Sequence, residues 1–297
     1  MNPLVSGIRS VEIGASNPEQ AARFYADVWG LNRLAGTGYR FAGSAGEHPI
    51  LTIVDGGTAM RRFAFSVRGF AALDELHGRI RAAGLPVSTS SRAFDDGEGI
   101  GFDSRDPEGR TIAFIATESE PSPVTLPKDR FSKVTHLNLN CGAYDAMRHY
   151  MTETLGFRVV DETRTNGFFN CDRDHHALVI GRVPMRPTLN HIAFEMPDLN
   201  SMMRMCGTMR ENGYPIEWGV GRHGPGDNVF SYFAGPEEFP IECTAEVLQI
   251  DDSYAYRGPD IWGFPPGRTD QWGVTDAPSA RIKRIQSQFL FQTIDLR

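Results

Sequence analysis

GIRSVEIGASNPEQAARFYADVWGLN (Gly7–Asn32) lies over KVTHLNLNCGAYDAMRHYMTETLGFR (Lys133–Arg158) without a gap, at an offset of 126 residues. Each stretch reads as a strand of alternating character, then an amphipathic helix, then a glycine stop at Gly30 or Gly156. Asn17 before Pro18 makes a good helix start, because asparagine caps and proline is tolerated at the first helical position. An internal repeat on this scale governs every later assignment.

The match continues downstream. RRFAFSVRGFAALDELHGRIRAAGLPV (Arg61–Val87) aligns with NHIAFEMPDLNSMMRMCGTMRENGYPI (Asn190–Ile216) at an offset of 129. Both are a strand and a helix, with Gly84 or Gly213 as the terminal stop. SRDPEGRTIAFIAT (Ser104–Thr117) then aligns with FAGPEEFPIECTAE (Phe233–Glu246), a tight turn into a closing strand. The chain therefore reads as two tandem α+β domains, 1–118 and 131–250, and within each the strand–helix–strands unit occurs twice. ESEPSPVTLPKD (Glu118–Asp129) has linker composition, and the linker is placed at 119–130. Residues 251–297 are dense in Gly, Pro and aromatics, and are expected to pack as an ordered covering segment.

At 297 residues there is room for two cores, one per domain. A net charge of −7 argues against nucleic acid or an anionic membrane as the main partner. The sequence shows neither a transmembrane-length apolar run nor a signal-peptide start, and Cys141, Cys171, Cys206 and Cys243 show no paired spacing. A reducing cytoplasm is the expected setting, with the cysteines in the core.

Six of the eight histidines fall between His136 and His223, so the chemistry is expected in the second half. The duplication acts as an internal control. His136, His191 and Glu242 occupy three strands of the second copy where the first has Ser10, Arg62 and Ala113. Two imidazoles and one carboxylate on one face of an octahedral ion leave three adjacent positions open, which suits non-haem Fe(II) enzymes. Strand periodicity puts His136, Asn138 and Asn140 on one face, and His191, Ala193 and Glu195 on one face. Such polar faces suggest a curved sheet around a wet cavity, with helices on the apolar side. Singly, each histidine reads equally as a hydrogen-bonded or surface residue.

The duplicated modules, with His136, His191 and Glu242 on three strands, resemble the type I extradiol ring-cleavage dioxygenases of the vicinal oxygen chelate superfamily. The resemblance covers about residues 5–250. It implies two domains of paired βαβββ modules forming curved open barrels, with the metal site lost from the first. It further implies Fe(II), with Mn(II) possible in the same ligands, a small aromatic diol and dioxygen as substrates, and a homo-oligomer. In CDRDHHALVI (Cys171–Ile180), His176 lies fifteen residues before His191, the family's spacing for a non-ligand acid/base histidine. His223 and Tyr232 lie nineteen and ten residues before Glu242, at the family's spacings for two further catalytic groups. The segment itself reads as a strand, which would turn His175 away from the site as a structural neighbour. His223 also reads as a loop histidine, Tyr232 as barrel packing and His149 as a surface residue.

Two other functions compete. A glyoxalase-type isomerase would use a divalent metal, typically with four protein ligands, and no convincing fourth is visible. A metal-free protein that sequesters a small aromatic drug would have no use for the three ligands.

Overall fold

A computed structural model describes residues 3–36, 38–46, 48–94, 99–117, 127–184 and 186–296. The expected linker, 119–130, lies outside the described residues as far as 126.

Sixteen strands form two sheets. The first contains β1 (Val5–Ala15), β2 (Asn32–Arg33), β3 (Tyr39–Ala42), β4 (Pro49–Asp55), β5 (Ala59–Val67), β6 (Arg92–Phe94), β7 (Gly99–Arg105) and β8 (Thr111–Ala116). The second contains β9 (Val134–Cys141), β10 (Arg158–Glu162), β11 (Asn166–Asn170), β12 (Leu178–Arg182), β13 (Thr188–Glu195), β14 (Trp218–Arg222), β15 (Val229–Ala234) and β16 (Pro240–Ala245). Helices α1 (Pro18–Arg23), α2 (Phe70–Ala82), α3 (Tyr144–His149) and α4 (Leu199–Glu211) follow the first strand of each unit, which gives four βαβββ modules. α5 (Ala280–Gln288) lies in the tail.

The strand orders are the same in both halves: β2-β3-β4-β1-β5-β8-β7-β6 and β10-β11-β12-β9-β13-β16-β15-β14. In each module the first and last strands pair in parallel, as β1 with β4 and β13 with β16. The two modules of a half join through an antiparallel pair, β1 with β5 or β9 with β13. This is the two-domain vicinal oxygen chelate fold, and the α+β expectation holds. Strands β8, β15 and β16 are buried along their whole length. Strands buried on both faces carry apolar runs rather than alternation.

The local signals read in the sequence operate as expected. Asn17 Oδ1 accepts from the Gln20 amide at 3.1 Å, with Pro18 opening α1. Gly30, Gly84, Gly156 and Gly213 all take φ between 73° and 84°, the left-handed stop that any other residue would adopt with strain. The repeat also preserves an irregularity. α1 and α3 each run on into a π turn, Phe24–Val28 and Tyr150–Thr154, at the 126-residue offset.

The expectation of one core per half is not met. A single apolar cluster runs through both. Trp29 stacks on Phe131 at 4.5 Å and meets Phe194 and Phe233 edge-on, while Phe24 packs on Tyr214 at 4.7 Å. The aromatic end of the first module's helix thus fills the gap beneath the second sheet. Among the described residues no helix is long and apolar enough to cross a membrane.

Candidate metal centre

The second sheet curls around a cavity of about 310 Å³, with His136 on β9, His191 on β13 and Tyr232 on β15 in its wall. The strand register explains the convergence. Ala193 of β13 lies between His136 on one neighbouring strand and Glu242 on the other, and Tyr232 pairs with Glu242. Ligand side chains one strand apart on the same face necessarily point to one place.

His136 Nε2 and His191 Nε2 are 3.1 Å apart, and Glu242 Oε2 is 3.3 Å from the first and 3.0 Å from the second. Donors about 2.1 Å from one ion and at right angles to each other stand about 3 Å apart. The triangle therefore fits three adjacent positions of an octahedral divalent ion, and leaves the opposite face toward the cavity. Among the described residues this trio is the only group of three ligand-type side chains so placed. All four cysteines are buried, as expected, and none joins it.

Neighbouring groups orient the ligands. His191 Nδ1–H donates to Asn190 Oδ1 at 2.9 Å, which leaves the Nε2 lone pair for a metal. Asn228 Nδ2 approaches Glu242 Oε1 at 3.4 Å and is anchored on Thr244 Oγ1 at 2.8 Å. Burial pushes the Glu242 carboxyl up, but His136 and His191 outweigh it and hold the group well below the usual carboxylate range. Burial holds the His191 imidazole below its ordinary value. A carboxylate beside a neutral imidazole is what a divalent cation requires.

The other expected residues flank this triangle on two sides. His176 lies against His136, with ring centroids 4.5 Å apart. Burial, then the charges of His136 and His175, push its pKa well down. Tyr232 lies against His191 at 5.0 Å, and its hydroxyl is 3.1 Å from His223 Nε2. Burial lowers His223 to about 4 and raises Tyr232 well above the ordinary phenol. His149 is exposed on α3.

Two readings of the sequence need correction, the strand at CDRDHH and the cavity-facing Asn140. CDRDHH is an irregular loop between β11 and β12, so the strand alternation invoked for the histidine pair does not apply. His175 is fully buried behind His176, and the two Nδ1 atoms are 3.1 Å apart. Of Asn138 and Asn140, only Asn138 lines the cavity. Asn140 instead bonds Thr188 and the Gln286 carbonyl, and Phe194 faces the aromatic core. The tail does cover the site, contributing Phe264, Thr269 and Gln286 to the cavity wall. Asn190, Asn228 and Asp161 were invisible to a search for ligand spacings, because they act on the ligands and catalytic groups across the fold.

The first sheet shows what replaces a metal. Glu12 pairs with Arg62 as Asn138 pairs with His191, and Asp103 pairs with Ala113 as Tyr232 pairs with Glu242. There the Arg62 guanidinium bridges Glu12 at 2.6 Å and Asp103 at 3.1 Å, and Arg92 also binds Asp103. The equivalent space shrinks to about 30 Å³. An arginine stands as the cation of the first half.

The sequence profile of the Glyoxalase/Bleomycin resistance protein/Dioxygenase superfamily matches residues 133–243. The matched segment is similar to that superfamily's domain. Every candidate ligand and flanking group lies within the superfamily domain. Metapyrocatechase 2 of Cupriavidus necator is 25% identical over 158 residues, which are 52% of this chain and 48% of that protein, so the match spans about half of each. Among solved structures, the Mn(II)-bound glyoxalase from Novosphingobium aromaticivorans is 28% identical, with a TM-score of 0.85 over 94% of both chains. The 2,3-dioxygenase LapB from Pseudomonas sp. KL28 is 19% identical, with a TM-score of 0.77 over 88% of this chain and all of that one.

Proposed function

We propose that this chain is an extradiol-type ring-cleavage dioxygenase acting on a vicinal diol of an aromatic ring, with Fe(II) as the working metal and Mn(II) accommodated by the same ligands. The observation that carries the reading is the donor triangle of His136, His191 and Glu242 with catalytic-type groups on two sides, His176 by His136 and the His223–Tyr232 pair by His191. A bound metal would supply open positions for the diol and dioxygen together, and a path for electrons between them. The residues do the proton work. His223, neutral at neutral pH, and the protonated Tyr232 phenol form a hydrogen-bonded couple able to take a proton from a diol hydroxyl. His176, a neutral imidazole in a water-poor wall, is placed to take and return a proton on the other side. Phe168 and Phe264 exclude water, which keeps these groups from being levelled by solvent.

The cavity continues, through Thr163, Asn166, Pro225 and Phe264, into a second chamber of about 640 Å³. Tyr254, Trp262 and Arg257 line it, with the guanidinium 5.0 Å and 5.7 Å from the two rings. A diol ring carrying a sizeable substituent fits the two chambers together better than bare catechol.

Loading the protein with Fe(II) without air, then following oxygen uptake against a panel of catechols and trihydroxybenzenes, tests the proposal. Uptake with one equivalent of dioxygen per ring opened is the expected result. Iron-loaded protein that consumes no oxygen with any of them would overturn it. A second reading, a glyoxalase-type isomerase, is favoured by the 28% identity to the Mn(II)-bound glyoxalase. That reaction needs no dioxygen, so anaerobic turnover of a 2-oxoaldehyde thiol adduct separates the two. A third, metal-free binding, predicts protein that purifies without metal and gains none on dialysis against it.

A further inference from the structure

Behind His176 runs a buried chain of polar groups that the reaction as proposed does not use. His176 Nδ1 meets His175 Nδ1 at 3.1 Å, and His175 Nε2 meets Asp161 Oδ2 at 3.0 Å. Tyr254, from the tail, places its hydroxyl 3.2 Å from both Asp161 oxygens and 3.2 Å from His175 Nε2. His175 and Asp161 have no exposed surface, and His176 almost none. Three elements far apart in sequence therefore close on one ring: β10 through Asp161, the β11–β12 loop through His175, and the tail through Tyr254.

The proton positions follow from the chemistry of the groups. Carboxylate oxygens accept, so Asp161 takes its hydrogen bonds from the Tyr254 hydroxyl and from His175 Nε2–H. Burial, then the Asp161 charge, raises the Tyr254 phenol to about 12, so it stays a donor. A neutral imidazole protonated on Nε2 carries a lone pair on Nδ1. His175 Nδ1 in that tautomer accepts, and among the described residues the group presented to it is His176 Nδ1–H. That leaves the lone pair of His176 on Nε2, its one nitrogen not engaged behind the cavity wall.

We propose that His175, Asp161 and Tyr254 are positioning residues that fix His176 as its Nδ1–H tautomer, so that Nε2 enters each reaction cycle as a proton acceptor. This rests on the acid/base role given to His176. It assigns a purpose to the adjacent histidine pair: one ring faces the substrate and the other dictates which nitrogen does so. The logic is that of any imidazole base oriented by a third group. It also ties the tail to the reaction, because Tyr254 arrives only when residues 251–257 dock along β10. There the Arg257 amide donates to the Val160 carbonyl and the Arg257 carbonyl accepts from the Glu162 amide.

The tautomer is directly observable. Full-length protein labelled with ¹⁵N-histidine and loaded with diamagnetic Zn(II) gives long-range proton–nitrogen spectra that distinguish Nδ1–H from Nε2–H. Comparison with His176→Gln and His175→Gln assigns the two rings. Wild type is expected to show His176 protonated on Nδ1 and His175 on Nε2. Asp161→Asn keeps the shape but lets the amide donate to His175 Nε2, so both rings should reverse. The Fe(II)-loaded variant should retain its metal and its KM for the diol while kcat falls on the order of 10²-fold, the scale of one proton-transfer group. His175→Gln, which still offers an acceptor, should keep His176 protonated on Nδ1 and recover turnover relative to His175→Leu.

Wild-type His176 protonated on Nε2 would overturn the proposal, and so would an Asp161→Asn protein in which neither ring reverses. The wild-type spectrum decides even if a variant fails to fold. Because it needs no turnover, a negative result is distinct from failure of the dioxygenase reading, which oxygen uptake decides.

Discussion

Single residues decide whether this chain holds a metal. His136→Ala, His191→Ala and Glu242→Ala each remove one corner of a triangle whose sides are 3.0–3.3 Å. Each variant is expected to lose bound metal on dialysis, read as metal content by plasma emission. His176→Ala should keep the metal and lose turnover, because its ring lies beside a ligand without belonging to the set. Release of metal by His176→Ala as severe as by His136→Ala would contradict the division of roles. Gly226 gives a second test at this scale. Its φ is +84°, and a Cβ there would sit 2.8 Å from His176 Cε1 and 3.1 Å from Nδ1. Gly226→Ala should therefore push the ring off His175 and cut kcat at least tenfold, on the scale of a misplaced catalytic group, with metal content unchanged. Kinetics that match wild type would show that the ring tolerates the displacement.

At the scale of elements, the repeat explains both sheets and the tail explains the site. α5 is capped by Ser279, whose hydroxyl accepts from the Ile282 amide at 3.0 Å. It buries Ile282 and Ile285 against Phe230, Tyr232 and Ala234, on the strand that carries Tyr232. Gln286 of the same helix lines the cavity and holds Asn140 through its carbonyl. Ile285→Asp places a charge in that contact, and should destabilise the protein by about 3 kcal/mol. Thermal unfolding measures the loss, and KM for the diol should rise because the wall is loosened. A KM unchanged in folded protein would mean that α5 is only a cover. In the first sheet, Arg62→Ala takes one ion-pair partner from the buried Asp103, which keeps Arg92, and one from Glu12, which keeps Arg61. The expected cost is on the order of 3 kcal/mol, with metal content in the other sheet unaffected. Urea unfolding of the metal-free protein reads it.

Across the whole molecule, the halves meet at Gly7, where a Cβ would lie 2.9 Å from Asp172 Oδ2. Burial and then the Asp174 charge raise Asp172 to about 7, well above an unfolded carboxyl near 3.8. The folded state thus holds this proton longer than the unfolded state does. Its contribution is present below pH 4 and is lost as pH rises through 7. Lys133, 2.5 Å from Asp174, lowers that neighbour, whose contribution runs the other way and disappears only in acid. The Asp172 share of the stability is therefore expected to decline between pH 5 and pH 8. The buried His176, His191 and His223, held below their ordinary values, contribute in the opposite sense, so Asp172→Asn should gain stability relative to wild type as the pH rises. Denaturant midpoints at the two pH values check it. An equal pH dependence in wild type and variant would remove Asp172 as a contributor.

The duplication, the module order, the helix stops and the grouping of His136, His191 and Glu242 were legible in the sequence. Each rests on local chemistry or on a comparison of aligned residues: a glycine that must adopt positive φ, an asparagine that caps, a histidine where the other copy has an arginine. The segment that carries the histidine pair was misread as a strand for the converse reason. Strand alternation is a local rule, and residues 171–177 form a loop whose shape is set by what it packs against. The partners Asp161, Asn190, Asn228 and Tyr254 reach the site from separate strands, a loop and the tail, and no spacing announces them. Sequence by itself determined which residues could bind a metal and which half would do so, because ligand chemistry belongs to the side chain. Only the tertiary structure decided which nitrogen of each imidazole faces the cavity, because that depends on hydrogen bonds between groups brought together by folding.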